Sequence, residues 1–476
     1  MTLSAGATHA GLLGARRPPA GLLLAGIVVG VAAVLPAAYL VGVVGADPGT
    51  ALDDILTSET AAIIARSLGL TAAVCAAAIA LALPLAWLTT RTDLPGRRIW
   101  ATLAALPLVI PSYVGAYLLI ATLGPNGLLQ DGLGVERLPS IYGFAGAWLS
   151  LTLFTFPLVL LPLRSALNRL DPQLEDAARA MGRGPLETFR SVVVPQLWPA
   201  LAAGSLLVAL YVMSDFGAVS IMRFDSFTVE LYVAYRSSFD RTATAALAAV
   251  LVIVMLLLLW LSTRVGRSRV VHRQGPGAAR PPRPYALGRW KAPAIAFCSL
   301  VVGIALVLPV GVLAYWATKG ISAGAVTSSL ASALAQNSLM TAGLAALAGG
   351  VAALVIALLA GRFRSPVSVA LERFGHAGFA LPGVVVALSL VYFATRALPS
   401  VYQTVTLLVF ALAIHYLPLA IGPVGAALAQ VSPRVEEAAR TLGRRQSEVF
   451  RTITAPLVRG GILAGAALVF LHAIKE

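Results

Sequence analysis

The sequence predicts an all-α membrane protein made of two tandem repeats, and three observations carry that prediction. The chain of 476 residues is 58% hydrophobic and 12% charged, with a mean hydropathy of +0.86, far from the balance of a soluble domain. Apolar runs at 21–45, 68–88, 243–262 and 292–315 exceed the roughly 18 residues that mark a membrane span. Open sheets cannot satisfy their backbone in lipid, so the spans are helices. Between the runs lie two charged islands, 172–195 and 433–456, which are identical at 11 of 24 positions without a gap.

Residues 1–19 form a tail. Six spans follow, near 20–45, 62–89, 100–122, 140–163, 197–214 and 242–263. The first is too long for the apolar core of a signal peptide and is read as retained. Residues 264–291 are rich in Arg, Pro and Gly and have no apolar period, as expected of a flexible linker whose charges suit anionic headgroups. The second half repeats the plan, with spans near 292–316, 337–360, 376–395, 403–430 and 458–474. The domains so defined are 20–263 and 292–476. Pro157-Leu158 before the first island matches Pro418-Leu419 before the second, and Ala105-Leu106-Pro107 resembles Ala380-Leu381-Pro382. Six spans bring a chain back to its starting side, so the repeats are parallel rather than inverted. Asp215 follows the fifth span, and its counterpart 261 residues on is Glu476, the last residue. The second half needs about 50 further residues for its sixth span. The chain therefore reads as C-terminally truncated, with about 11 of 12 spans.

The net charge of +15 is unevenly spread. The tail, the 90s loop, the first island with Arg164 and Arg169 before it, the linker, the 362–373 loop and the second island with Arg459 after it hold 27 of the 35 Lys and Arg. These are alternate connections, so the bias places them, and the N-terminus, in the cytoplasm. A charge pattern set by topology argues against a nucleic-acid partner. Cys75 and Cys298 sit in apolar spans as small packing residues, with no disulfide framework or metal spacing.

Each island reads as a helical elbow. Asp171 is a good N-cap, and Pro172 fits a first helical turn. Glu175, Ala178, Arg179 and Gly182 share one helical face, and small residues there let a partner backbone approach. Gly182 ends or bends the helix. Pro185 and Glu187 suit the start of a second short helix running to Pro195. Gly443 and its surroundings repeat the elbow, with Ser432 as the cap.

The pattern Glu-(Asp/Glu)-Ala-Ala, with Gly seven residues after the Glu and Pro at plus twenty, resembles the EAA loop of ABC-importer permeases. The resemblance implies two tandem type I (MetI-like) permease domains, with EAA loops at 171–195 and 432–456. In that family the short helix is a coupling helix that fits a groove on an ATPase subunit. By resemblance, Glu175, Ala178 and Gly182, and Glu436, Ala439 and Gly443, couple to the ATPase. The implied partners are two copies of a cytoplasmic ATPase, which would hold the ATP and Mg, and an extracytoplasmic substrate-binding protein. The chain itself would be no enzyme and carry no cofactor, and it would span a bacterial cell membrane. The sequence contains no phosphate-binding loop that would place the ATPase in this chain. The fused pair is most similar to ferric-iron permeases, through 214–219, 235–240 and Lys475-Glu476. Thiamine permeases share the fused layout; sulfate, molybdate, spermidine and phosphonate permeases share the domain. An ion-coupled secondary transporter, the alternative of another class, would need ionisable residues inside spans that here nearly lack them, and a membrane enzyme would need a clustered acid, His or Cys set.

Asp215 and Glu476 stand at equivalent span ends and could flank a substrate path. Fe(III) prefers oxygen ligands, so these carboxylates and Tyr211, Tyr232 and Tyr235 would suit it. The competing reading of Asp215 is a helix cap, or a pair with Lys475 or Arg236. Glu230 and Asp240 suit either a binding-protein contact or solvated loops. His415 and His472 are read as hydrogen-bonding to neighbouring helices rather than to metal, and His376 as interfacial.

Overall fold

The computed structural model describes residues 18–49, 55, 57–134, 139–170, 172–237, 241–267, 284–363, 365–376, 378 and 381–476. Helices carry the fold, and among the described residues the only extended pairing is an isolated parallel bridge between Thr92 and Tyr285. Among the described residues, eight helices are long and apolar enough to cross a membrane. They are Ala20–Ala46, Ser58–Arg91, Phe144–Arg169, Phe189–Ser214, Thr242–Leu261, Gly288–Ser322, Ser328–Arg362 and Gln446–Ala473. Two further spans are bent pairs: Arg97–Val109 with Ser112–Gln130, turned by 98°, and Val405–His415 with Leu417–Gln430, turned by 54°. A shorter apolar helix, Gly383–Ala397, stands where the ninth span is expected.

Prolines account for the departures from straight spans. The third span breaks at Ile110-Pro111, after a tight turn at Leu106–Val109, because Pro107 and Pro111 donate no N–H to a continuous helix. The expected ninth span starts late, after Pro382, and its 15 residues reach only about 22 Å. Pro382 and Pro111 share a conformation (φ −58°) and a place just before a helix. The sequence match of Pro382 to Pro107 is therefore replaced by a match to Pro111, and Ala380 lies outside the described residues. Pro157 and Pro418 do correspond, each opening the second segment of its span. The expected loop 362–373 contains a helix, Pro366–Gly375, capped by the Ser365 hydroxyl on the Ser368 N–H at 3.1 Å.

Contacts divide the chain into two compact units, Pro48–Thr327 and a unit that joins Met1–Asp47 to Ser328–Glu476. The first has a core of Val74, Leu85, Leu151, Leu160, Leu197 and Cys298. The second buries Ala33, Ala353, Ile356, Leu417, Val424 and Val469. In lipid, helix association rests on close packing between small residues, and each unit uses the same device. A Cβ on Gly204 would lie 2.7 Å from Val159 Cα, and one on Gly465 would lie 2.9 Å from the Ala420 carbonyl oxygen. Both glycines bring the span after an island against the span before it.

Candidate functional site

Both islands fold into the same elbow. Helix Pro172–Ala180 ends at Gly182, and helix Pro433–Thr441 ends at Gly443, each with φ +84°. The Gly182 N–H donates to the Arg179 carbonyl at 2.9 Å and the Arg183 N–H to the Ala178 carbonyl at 3.2 Å. Gly443 to Arg440 and Arg444 to Ala439 repeat those bonds at 2.9 and 3.2 Å. This paired termination needs a left-handed residue at its pivot, which glycine adopts without a steric penalty. A short helix follows, Pro185–Thr188 or Gln446–Val449, then a wide turn at Phe189–Val193 or Phe450–Thr454, then the span.

The side chains repeat as well. Arg183 approaches Glu187 at 3.8 Å and donates to the Ser191 hydroxyl at 2.8 Å. Arg444 approaches Glu448 at 3.9 Å and donates to the Thr452 hydroxyl at 3.2 Å. Asp171 lies outside the described residues. Ser432 occupies the cap position, but its hydroxyl makes no cap bond; the Val435 N–H instead donates to the Ser432 carbonyl at 3.1 Å.

The Glu–Ala face turns into the protein. Glu175 and Glu436 are 5% and 9% exposed, and Ala178 and Ala439 are buried beside them. Each Glu meets an Arg from the last turn of a long span. Arg91, ending Ser58–Arg91, pairs with Glu175. Arg362, ending Ser328–Arg362, holds Glu436 with Nε 3.1 and 3.2 Å from its two oxygens and Nη2 3.0 Å from Oε1. The Thr454 hydroxyl adds a bond to Glu436 at 3.0 Å. Such pairs satisfy charge that would otherwise be costly to bury. The face expected to receive a partner is thus the face by which each elbow is fixed to its own span.

Among exposed charged side chains, each elbow also presents two exposed apolar ones. Leu174 and Met181 are 44% and 70% exposed; their counterparts Val435 and Leu442 are 47% and 83% exposed. These four are not identical between the islands; the pairs Leu/Val and Met/Leu match in apolar character only. Two apolar side chains are thus exposed at one register in both repeats.

Residues 78–270 and 353–476, each segment containing one elbow, match a family described as the binding-protein-dependent transport system inner membrane component. The chain belongs to that family. It is thus a multi-pass integral membrane permease subunit of a binding-protein-dependent ABC importer rather than an enzyme, and family membership implies an ATPase and a substrate-binding protein as partners. The Fe(3+)-transport system permease protein FbpB 2 of Haemophilus influenzae is 32% identical over 468 residues, covering 97% of this chain and 89% of its own. The sulfate transport system permease protein CysT of Salmonella typhimurium is 31% identical over 197 residues, 40% of this chain and 71% of its own. The molybdenum transport system permease protein ModB of Escherichia coli is 33% identical over 137 residues, 28% of this chain and 58% of its own.

In this permease, Asp215 is a cap. Its carboxylate accepts from the Ala218 N–H at 2.9 Å and from the Ser112 hydroxyl, and its carbonyl accepts from the Thr228 hydroxyl at 2.6 Å. The Asp215 N–H donates to the Tyr211 carbonyl at 2.9 Å, so these two expected path residues are neighbours through the backbone. Tyr232 packs on Phe216 with ring centres 5.0 Å apart, and Arg236 lies over Tyr232. Glu476, in the other unit, is exposed and accepts from the Tyr416 hydroxyl at 2.6 Å. The Tyr416 ring in turn contacts His415 and His472 at 4.7 and 5.5 Å, and His472 lies 2.8 Å from the Leu468 carbonyl. His376 ends the helix Pro366–Gly375. Among the described residues, no three His, Cys, Asp or Glu gather as a metal site. Glu230 is half-buried, and burial, followed by the charges of Asp225 and Glu59, holds its carboxyl above the ordinary value. Asp240 lies outside the described residues.

Proposed function

We propose that this permease imports ferric iron, and that its two elbows are the points where ATP hydrolysis in partner subunits drives the spans. The observation that carries the substrate is the likeness to an Fe(3+)-transport permease along 97% of the chain, through both repeats. The sulfate and molybdenum relatives match 40% and 28% of it.

The elbow geometry supports the coupling reading. Leu174 with Met181, and Val435 with Leu442, offer each of two ATPase subunits an apolar knob, as partner helices docked in grooves do. Glu175, Ala178 and Gly182, and Glu436, Ala439 and Gly443, set the shape behind those knobs. The Arg91–Glu175 and Arg362–Glu436 pairs carry a displacement of each elbow into the end of a long span. ATP and Mg belong to the partner subunits, and an extracytoplasmic binding protein delivers the substrate. The basic bias of alternate loops supports a cytoplasmic N-terminus and cytoplasmic elbows. Closure of the ATPase pair then shifts the permease between inward- and outward-open states, each ligand stabilising the state it binds better.

Asp215 contributes to this cycle by fixing the break after the fifth span, with Tyr211 in the turn before it. Glu476 ends the equivalent span. The test is uptake of labelled Fe(III) by proteoliposomes holding the permease, its ATPase and its binding protein. Uptake that requires ATP and is matched by no sulfate, molybdate or thiamine uptake is expected. ATP-dependent uptake of one of those solutes without iron would overturn the substrate. Uptake driven by an ion gradient without ATP would overturn the class.

A further inference from the structure

Of the positions where only one elbow carries a hydroxyl, one bears on the buried glutamate. In the second elbow, Thr454 in the wide turn donates to buried Glu436 at 3.0 Å. The corresponding residue of the first elbow is Val193, buried and without a hydroxyl. Glu175 nevertheless has a hydroxyl partner, and it comes from the segment before the seventh span: Tyr285 Oη donates to Glu175 Oε2 at 2.6 Å and accepts from the Arg179 guanidinium.

That tyrosine is held from several directions. Its ring packs against Trp87, with centres 5.3 Å apart, and against Arg179, whose guanidinium carbon stands 4.9 Å from the ring centre. Its N–H donates to the Arg91 carbonyl at 2.8 Å, and its carbonyl accepts from the Asp93 N–H at 3.0 Å. Two residues on, the Leu287 N–H donates to Asp93 Oδ1 at 2.8 Å, and Lys291 meets Asp93 Oδ2 at 2.8 Å. The segment 285–291 is therefore strapped along the end of Ser58–Arg91, the helix that supplies Arg91 to Glu175.

We propose that Tyr285 is a positioning residue of the first elbow, supplying from outside the loop the hydroxyl that Thr454 supplies from within the second. A hydrogen bond to a buried carboxylate is stronger than one between neutral groups. Its loss frees the Glu175 helix locally while leaving the second elbow intact. The order of the elbow follows from the geometry alone; the consequence for transport rests on the coupling role proposed above.

The test uses the full chain in nanodiscs with its ATPase, and the variants Tyr285→Phe, Val193→Thr and the two combined. Amide exchange over 175–183 is expected to rise about tenfold in Tyr285→Phe, with 436–444 unchanged. It should return to the parent value in the combined variant, where Val193→Thr restores the hydroxyl at the position the second elbow uses. In proteoliposomes that also hold the binding protein, iron uptake per ATP hydrolysed should fall and recover in step. Unchanged exchange in Tyr285→Phe overturns the proposal, as does an equal rise in both elbows. So does failure of Val193→Thr to restore order when Val193→Thr alone exchanges like the parent. If exchange behaves as expected while the ATPase does not bind the parent chain, the positioning role stands and the coupling reading falls.

Discussion

Arg362 and Glu436 are nearly enclosed, and the guanidinium also donates to the Val431 carbonyl at 2.9 Å. Removing one member strands the other charge, which costs about 3–5 kcal/mol, whereas replacing both by neutral side chains is close to neutral. Arg362→Met should therefore lower the detergent melting temperature sharply, and Arg362→Met with Glu436→Gln should restore most of it; a double variant as unstable as the single would contradict the buried pair. Asp93 gives a pH dependence. The Lys291 ammonium, and then the Leu287 N–H, hold its carboxyl below the ordinary value. A depressed carboxylate contributes stability above its unfolded pKa and loses it as pH falls through the folded value. Protection of the Leu287 amide, corrected for intrinsic exchange, should be flat from pH 8 to about 5 and decline below about 4. Asp93→Asn should remove it at pH 7. Neither Arg partner was legible in the sequence. Arg91 precedes its Glu by 84 residues and Arg362 by 74, so no constant register links them, and both lie outside the repeated islands.

At the scale of the element, the elbow was largely legible. Its glycine, its two helices and its repetition follow from residue types at fixed spacing. Which face turns inward did not. Identity between the islands marks every residue under shared constraint, and a Glu clamped by an Arg of its own chain is constrained as tightly as one that meets a partner. Gly182 isolates the backbone requirement, because nothing lies within 4 Å of the place a Cβ would take. Gly182→Ala should loosen 178–184 by about 1–2 kcal/mol from the left-handed conformation alone, and Gly182→Asn should loosen it less, since Asn visits that region readily. Equal amide exchange in the two variants would show that the cost lies elsewhere.

At the scale of the whole molecule, span order was legible and span partnership was not. Ala20–Ala46 belongs to the unit containing Ser328–Glu476, and Gly288–Ser322 to the unit of Pro48–Thr327, so the compact units do not coincide with the two sequence repeats. Apolarity on every side says that a helix crosses the membrane and leaves open which neighbours it meets. The sequence reading of 100–122 and 376–395 as unbroken spans likewise missed the break at 110–111 and the late start after Pro382. The central claim is that one chain carries two equivalent docking elbows for ATPase subunits. Native mass spectrometry of the purified complex tests it most directly. The account predicts one permease with two ATPase subunits, one fewer when Leu174 and Met181 are both changed to Asp, and none when Val435 and Leu442 are changed as well. Two ATPase subunits retained on the fourfold variant, with the permease still folded, would contradict it.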